Sequence, residues 1–579
     1  MRPTPIAGLI VKLRDTPGQR DARVLAAAQR APSAAHVQAQ VQTEAEAQSV
    51  LRAERLGHLL AVAGLGQPRQ RPVGRAGQLL DFGHPLSPLD AQRLAERLRL
   101  LPEVEWVVPN EREQRQQVPN DPYFAASANS TGQWWLRPAS GTNANAAADR
   151  LRGVPGLQTA WALTGTGTGN AVVAVLDTGI TAHPDLGVQV LPGHDFVSDL
   201  AIAGDGNGRD ADPSDPGDGV TQADKDANPA LFGTCDVQRS TWHGTVIAGI
   251  IGASSDNGAG VAGINWSARV LPVRVAGKCG AEVADIVDAM RWAAGLPVVG
   301  APPNRNPARI VNISFGGSAA CNAAYQEAID DLAAVGTVVV AAAGNGHGAV
   351  KRPASCARVV GVAALNRDGF KANYSSFGPA VVVSTVGGDP ATEGAWGALL
   401  GDDGLLTLDN LGLQAPEAAA YGHHFGTSFA APVVAGVLSL MLDRNPNLSA
   451  SQLIDGVQRS ARPHVVSSLM GACSAQNPGR CACTPSTCGA GILDAAQALQ
   501  YALDPAAYVA PARQGELVDS TEMRTATALG TDLPPNADST AGVDAAGGGG
   551  GGGSMDLRWL ALLAGGVVAV ARQRQRVNA

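Results

Sequence analysis

The sequence predicts an α/β protein, built as a doubly wound, mostly parallel sheet flanked by helices with a small α/β domain in front. Three observations carry this. Short apolar runs rich in Val and Ile alternate with helix-like stretches between about residues 118 and 503, as strands covered on both faces require. Glycine and proline, 70 and 37 of the 579 residues, are too frequent for an all-helical bundle. Apolar residues make up 45% of the chain and charged residues only 16%, below the usual quarter, so a large core can be buried.

The elements follow in chain order. Residues 6–13 (IAGLIVKL) read as a strand, 90–101 (DAQRLAERLRLL) as an amphipathic helix with Leu94, Leu98 and Leu101 on one face, and 104–108 (VEWVV) as a second strand. This first region, 1–117, ends in the polar run 111–117 (EREQRQQ), where a protease cuts most easily. In the second region, 118–503, strands are expected at 171–176, 270–275, 310–314 and 337–342, and helices at 282–294 and 321–335. Residues 504–546, rich in Pro, Ala, Thr and Asp without periodicity, read as a linker. The tail, 547–579, opens on the glycine run 547–553, continues through the uncharged stretch 559–571 and ends with Arg572, Arg574 and Arg576. As a helix that stretch spans about 20 Å, short of a bilayer core of roughly 30 Å.

A net charge of −8 excludes a polybasic nucleic-acid binder, and the apolar share excludes a disordered acidic chain. The eight cysteines all lie beyond residue 234, an even set that suggests disulfides and an oxidising compartment. Nearest-neighbour pairing joins Cys235 with Cys279, Cys321 with Cys356, Cys473 with Cys481 and Cys483 with Cys488, although spacing does not settle connectivity. The cluster Cys473, Cys481, Cys483 and Cys488 is the candidate for a zinc site instead, but lacks paired C-x-x-C units. No signal-peptide core is evident in this chain, the longest apolar run before Arg20 being 6–11, so either the start is truncated or misassigned or export takes another route.

Three motifs fall just past a strand or at a helix start: Asp177 in VLDTGI, His243 in HGTVIAG and Ser428 in GTSFAAP. A serine hydroxyl is a poor nucleophile until a base takes its proton, and a neutral histidine needs a carboxylate to fix its tautomer. Each motif alone reads as a turn or a structural helix start. Together, in the order Asp, His, Ser, they point to a nucleophilic triad.

These motifs resemble the subtilisin family of serine proteases over roughly residues 118–499. The resemblance implies Ser428 as nucleophile, His243 as general base and then acid, and Asp177 as the orienting carboxylate. Asn345 in AAAGN resembles the family's oxyanion-hole asparagine. Ser314, Phe315, Gly316 and Gly317 (SFGG) resemble its substrate-binding strand, which pairs with an extended peptide. Two positions depart from the pattern, Val246 after HGT and Phe429 after the nucleophile; neither moves a proton, so altered packing is expected and not lost activity. The family likeness implies structural Ca2+, with Asp121 in NDPYF, Asp185 in HPDL and Asn257 in SSDNGAGVAG as side-chain ligands. The acidic loop 205–218 (DGNGRDADPSDPGD) reads either as a second ion site or as a solvated turn. Region 1–117 resembles the family's inhibitory propeptide, with maturation near Gln117, and the tail resembles glycine-rich bacterial sorting signals. The expected function is thus a secreted or cell-surface serine endopeptidase made as a zymogen. Its partners would be protein or peptide substrates and its own propeptide, with transient membrane attachment through the tail. The alternative is an inactive protease-like binding module on a surface tether. An α/β-hydrolase esterase is disfavoured, because no G-x-S-x-G surrounds Ser428.

Overall fold

The computed structural model describes residues 6–14, 35–74, 76–84, 86–110, 118–127, 130–139, 150–169, 171–391 and 395–529. The run 111–117 with its expected cut and the tail 547–579 lie outside the described residues. The chain divides into two compact units, Met1–Arg115 and Gln116–Ala579.

The described part of the first unit is a four-stranded antiparallel sheet with two helices. In chain order these are β1 (Leu9–Leu13), α1 (Ala35–Val62), β2 (Arg69–Val73), β3 (Gly77–Asp81), α2 (Pro88–Arg99) and β4 (Val104–Pro109), with strand order β2-β3-β1-β4. Helix α2 starts two residues before the sequence expectation because Ser87 caps it: its hydroxyl accepts from the Asp90 amide and Pro88 stands at the first helical position. Its inward face is Ala91, Ala95 and Leu98, packed with Leu9, Val11, Leu80 and Val107. Leu94 and Leu101 sit at the edge of that core.

The second unit is built on a seven-stranded parallel sheet: β5 (Val172–Asp177), β6 (His194–Asp195), β7 (Arg269–Arg274), β8 (Ile310–Ile313), β9 (Val338–Ala342), β10 (Val359–Leu365) and β11 (Val381–Val386), in the order β11-β10-β9-β8-β5-β7-β6. Helices pack on both of its faces, among them α3 (Leu157–Thr164), α4 (His243–Gly252), α5 (Val283–Ala293), α6 (Ala323–Ala334) and α7 (Thr427–Arg444). Two cores explain the unbroken apolar runs. Val173, Val175, Val338 and Val340 face α3, α4 and α7, whereas Ala174, Leu176, Val339 and Ala341 face α5 and α6. With both faces covered, alternation of polar and apolar residues disappears.

The strand order reverses between β5 and β8, so the crevice beyond their carboxyl ends is where a doubly wound sheet places reactive groups. Helix α7 is the one described helix long and apolar enough to cross a membrane, and 94% of it is buried inside the unit; a helix apolar all round belongs in a core. All eight cysteines pair, Cys235–Cys279, Cys321–Cys356, Cys473–Cys481 and Cys483–Cys488, so the C-terminal cluster holds no thiolate for zinc.

The expected linker does not run free from Asp504. Up to Leu529 the chain is held to the body by Arg513–Asp494 at 2.7 Å, Arg152–Glu516 at 2.7 Å and a bridge between Val466 and Leu517, and Met523 on the last described helix (Thr521–Leu529) is buried. These contacts join residues far apart in sequence, which composition does not reveal.

Candidate active site

Asp177 is the last residue of β5 and His243 the first of α4. Their glycine neighbours let the two elements touch: a Cβ on Gly244 would lie 2.1 Å from the Gly179 carbonyl oxygen. That approach sets His243 Nδ1 2.8 Å from Asp177 Oδ1, which also accepts from the Thr178 amide at 2.9 Å. Both side chains are buried, Asp177 at 1% and His243 at 6% exposure. The imidazole Nε2 has no hydrogen-bond partner among the described residues, so with a proton on Nδ1 it is a free acceptor. Trp242, just before it, sits at φ 53°, a left-handed conformation that a bulky residue adopts only when its surroundings enforce it. Here the indole is buried and donates to the Gly412 carbonyl at 2.8 Å.

Ser428 is the second residue of α7 and is buried at 3% exposure. Ser314, the first residue of the SFGG segment after β8, donates its hydroxyl to the Ser428 carbonyl at 2.8 Å. Phe429 packs its ring 5.5 Å from that of His243 and 5.2 Å from that of His424. The departure at position 429 therefore places an aromatic ring beside the imidazole, tilted by 53°. Val246, the other departure, is buried within α4. Asn345 follows β9, and its Oδ1 accepts from the Thr427 amide at 3.0 Å and the Thr427 hydroxyl at 2.8 Å. With the oxygen engaged, the amide nitrogen is the group left to donate. A cleft of about 510 Å³ is lined by Asp177, His243, Asp218 and all of Ser314, Phe315, Gly316 and Gly317.

Burial alone would lower the His243 pKa, but Asp177 beside it, and then Asp218 and Asp215, raise it above the ordinary 6.5. Asp218 accepts from the Thr241 amide at 2.6 Å and the Thr241 hydroxyl at 2.7 Å. Asp215 accepts from the Thr178 hydroxyl at 2.6 Å and the Gly217 amide at 2.8 Å, and burial followed by the nearby Asp218 charge pushes it up to about 7. Sequence reasoning left their loop, 205–218, as either a second ion site or a solvated turn. Its carboxylates diverge onto protein donors, Asp205 pairing with Arg274 and Asp212 capping Ser214. No local signal tells that residues 215 and 218 turn toward His243.

The three residues expected to hold Ca2+ also converge. Asp121 Oδ2 accepts from the Asp256 amide at 2.8 Å, while Asp185 accepts from the Asn257 side-chain amide at 3.2 Å and from the Val261 amide at 2.8 Å. Asp121 Oδ1 is buried without a partner, and a Cβ on Gly260 would meet Asp185 Oδ2 at 1.9 Å. Burial, with Asp185 adding to it, raises the Asp121 pKa. Two buried carboxylates with one oxygen unsatisfied fit a hard cation.

The family model of the Subtilase family matches residues 168–482, more than half of the chain. The chain belongs to the subtilase family. Among curated proteins, this subtilase is 40% identical over 343 residues to the "Extracellular protease" of Xanthomonas campestris pv. campestris, covering 59% of this chain and 52% of that protein. It is 34% identical over 411 residues to the "Extracellular basic protease" of Dichelobacter nodosus, covering 69% of this chain and 61% of that protein. The matches thus span between about half and three fifths of these relatives' length. Among solved structures, "Proteases from Pseudoalteromonas arctica PAMC 21717" is similar at 39% identity with a TM-score of 0.56, covering 67% of this chain and 100% of that one. The seven-stranded sheet and its flanking helices are those of the subtilase fold.

Proposed function

We propose that this subtilase is a secreted serine endopeptidase that cleaves proteins through an acyl-enzyme on Ser428. The observation that carries the reading is the buried Asp177–His243 pair with Nε2 unpartnered, beside the helix start that holds Ser428. His243 Nε2 takes the Ser428 proton as Oγ attacks the scissile carbonyl, and Asp177 steadies the imidazolium that forms. The Ser428 backbone N–H at the amino end of α7 and the Asn345 amide donate to the developing oxyanion. His243 then protonates the leaving amine, and water repeats the sequence to release the acid. The extended substrate pairs along Ser314, Phe315, Gly316 and Gly317. An inactive binding module is not favoured, since all four positions are filled by competent groups. Incubation with an unfolded protein substrate tests the reading: fragments with new amino termini are expected, and must vanish in Ser428→Ala.

Four disulfides and the naming of the relatives as extracellular support secretion. The unit Met1–Arg115 serves as the inhibitory propeptide in this reading, and the tail as a transient membrane attachment; both roles rest on sequence resemblance.

Asp121, Asp185 and Asn257 would hold Ca2+, which would lock the 254–263 loop onto the segment around Asp121. A ligand at 100-fold its Kd stabilises by about 2.7 kcal/mol. Chelation is therefore expected to lower Tm by roughly 3 °C in the unit Gln116–Ala579, whose unfolding entropy scales with its size. Scanning calorimetry with and without EGTA checks this, and Asp185→Ala should abolish the difference.

The raised His243 pKa sets the pH dependence. The base must be neutral to act, so activity rises with pH, and the acid limb of kcat/KM should lie above pH 6.5. Asp218→Asn removes one of the charges that raise it, so the limb should move to lower pH. A limb unmoved by this change would show that Asp218 does not act on the base.

A further inference from the structure

Arg352 is the cation in the wall of the cleft that the triad does not use. Its backbone is tied from both sides to the 314–319 segment that follows β8: its carbonyl accepts from the Gly317 amide at 3.0 Å, and its amide donates to the Ala319 carbonyl at 2.9 Å. Its guanidinium lies against Gly317, where an added Cβ would come within 2.7 Å of Nε. Nε is buried without a hydrogen-bond partner, and among the described residues no carboxylate ion-pairs with Arg352. The same cleft is lined by Phe315, Ile286 and the buried Tyr325. Burial pushes the Tyr325 phenol up to about 12, so at neutral pH its hydroxyl keeps its proton and is a donor. Asp177, Asp218 and Asp236 line the same cleft, with His243 bonded to Asp177.

A half-buried guanidinium without a counter-ion is costly unless an anion meets it, and its planar fork suits a carboxylate. Gly317 stands three residues beyond Ser314, whose hydroxyl bonds to the Ser428 carbonyl. Extended chain advances about 3.3 Å per residue, so a peptide paired along the SFGG segment brings its side chain to Arg352 about three residues from the bond that is cut. We propose that Arg352 is a specificity-determining residue that selects an acidic side chain of the substrate at that distance from the scissile bond. At the position next to the bond, near Asp218 and Asp177, an acidic side chain meets like charge and is disfavoured. The inference rests on the endopeptidase reading and adds to it the substrate class.

The test uses peptides identical except for Glu, Gln or Lys at one, two, three or four residues to either side of the cut, with rates normalised by titration of the reactive serine. Three residues away on one side, Glu should exceed Gln in kcat/KM by about tenfold, as expected of a partly desolvated charge pair, and the ratio should shrink in 1 M salt. Arg352→Gln should bring the ratio to within twofold of one, and Arg352→Glu should make Lys the preferred residue there. A wild-type ratio near one at every position, or a ratio unchanged in Arg352→Gln, overturns the inference while cleavage itself leaves the protease reading standing. Failure of the wild type to cleave any of the peptides overturns both.

Discussion

Ser428→Ala is expected to lower kcat by about 10⁶-fold, the magnitude known for loss of the nucleophile in subtilisin and carried over to this relative. The change removes one oxygen and nothing that holds the fold. Ser428 lies in the first turn of α7, where alanine is at least as good a helix former, and the bond it receives from Ser314 goes to its backbone carbonyl. Tm should therefore stay within a degree or two while cleavage is lost. The residual rate comes from the Asn345 amide and the backbone N–H, which still meet the oxyanion when water attacks directly. Loss of activity together with a large fall in Tm would point to a packing role for this residue instead.

Asp177→Ala is expected to lower kcat by about 3 × 10⁴-fold, again the magnitude known from subtilisin. Asp177 Oδ1 is the acceptor for both His243 Nδ1 and the Thr178 amide. Without it the imidazole is free to carry its proton on Nε2, the atom that must accept one, and the imidazolium loses its nearest counter-charge. The same loss lowers the His243 pKa, so the acid limb should move down as the rate falls, which a merely structural defect would not produce. Because the residues act as one unit, the Asp177→Ala/Ser428→Ala pair should be no slower than Ser428→Ala alone. Additive losses would mean that the carboxylate acts by some other path.

Much of this was legible in the amino-acid sequence, for physical reasons that differ by element. The central strands β5, β8 and β9 are covered by helices on both faces, and so print themselves as continuous Val and Ile runs. Strand β6 has two residues, His194 and Asp195, too few for any periodic signal. The hairpin of Leu405–Asn410 with Ala419–His424 is hidden by a polar second strand, AAYGHH. Helix α1 is rich in Ala and Gln and has no clear apolar stripe to announce it. At the site, Asp177, His243, Ser428 and Asn345 stand in short motifs because each sits where a strand or helix ends and glycine must allow close approach. Asp215, Asp218 and Arg352 stand in no motif. Their relation to His243 and to Gly317 comes from loops that return to the cleft after long excursions, and only the folded chain shows it.

The most direct measurement is the site of labelling by a phosphonylating reagent specific for activated serines, mapped by peptide mass analysis of the folded protein. One adduct on Ser428 is predicted, formed faster as pH rises through the His243 pKa and absent in His243→Ala. A protein that cleaves its substrates while carrying no adduct on Ser428, or carrying one on a different serine, would contradict the assignment of Asp177, His243 and Ser428 as one catalytic unit.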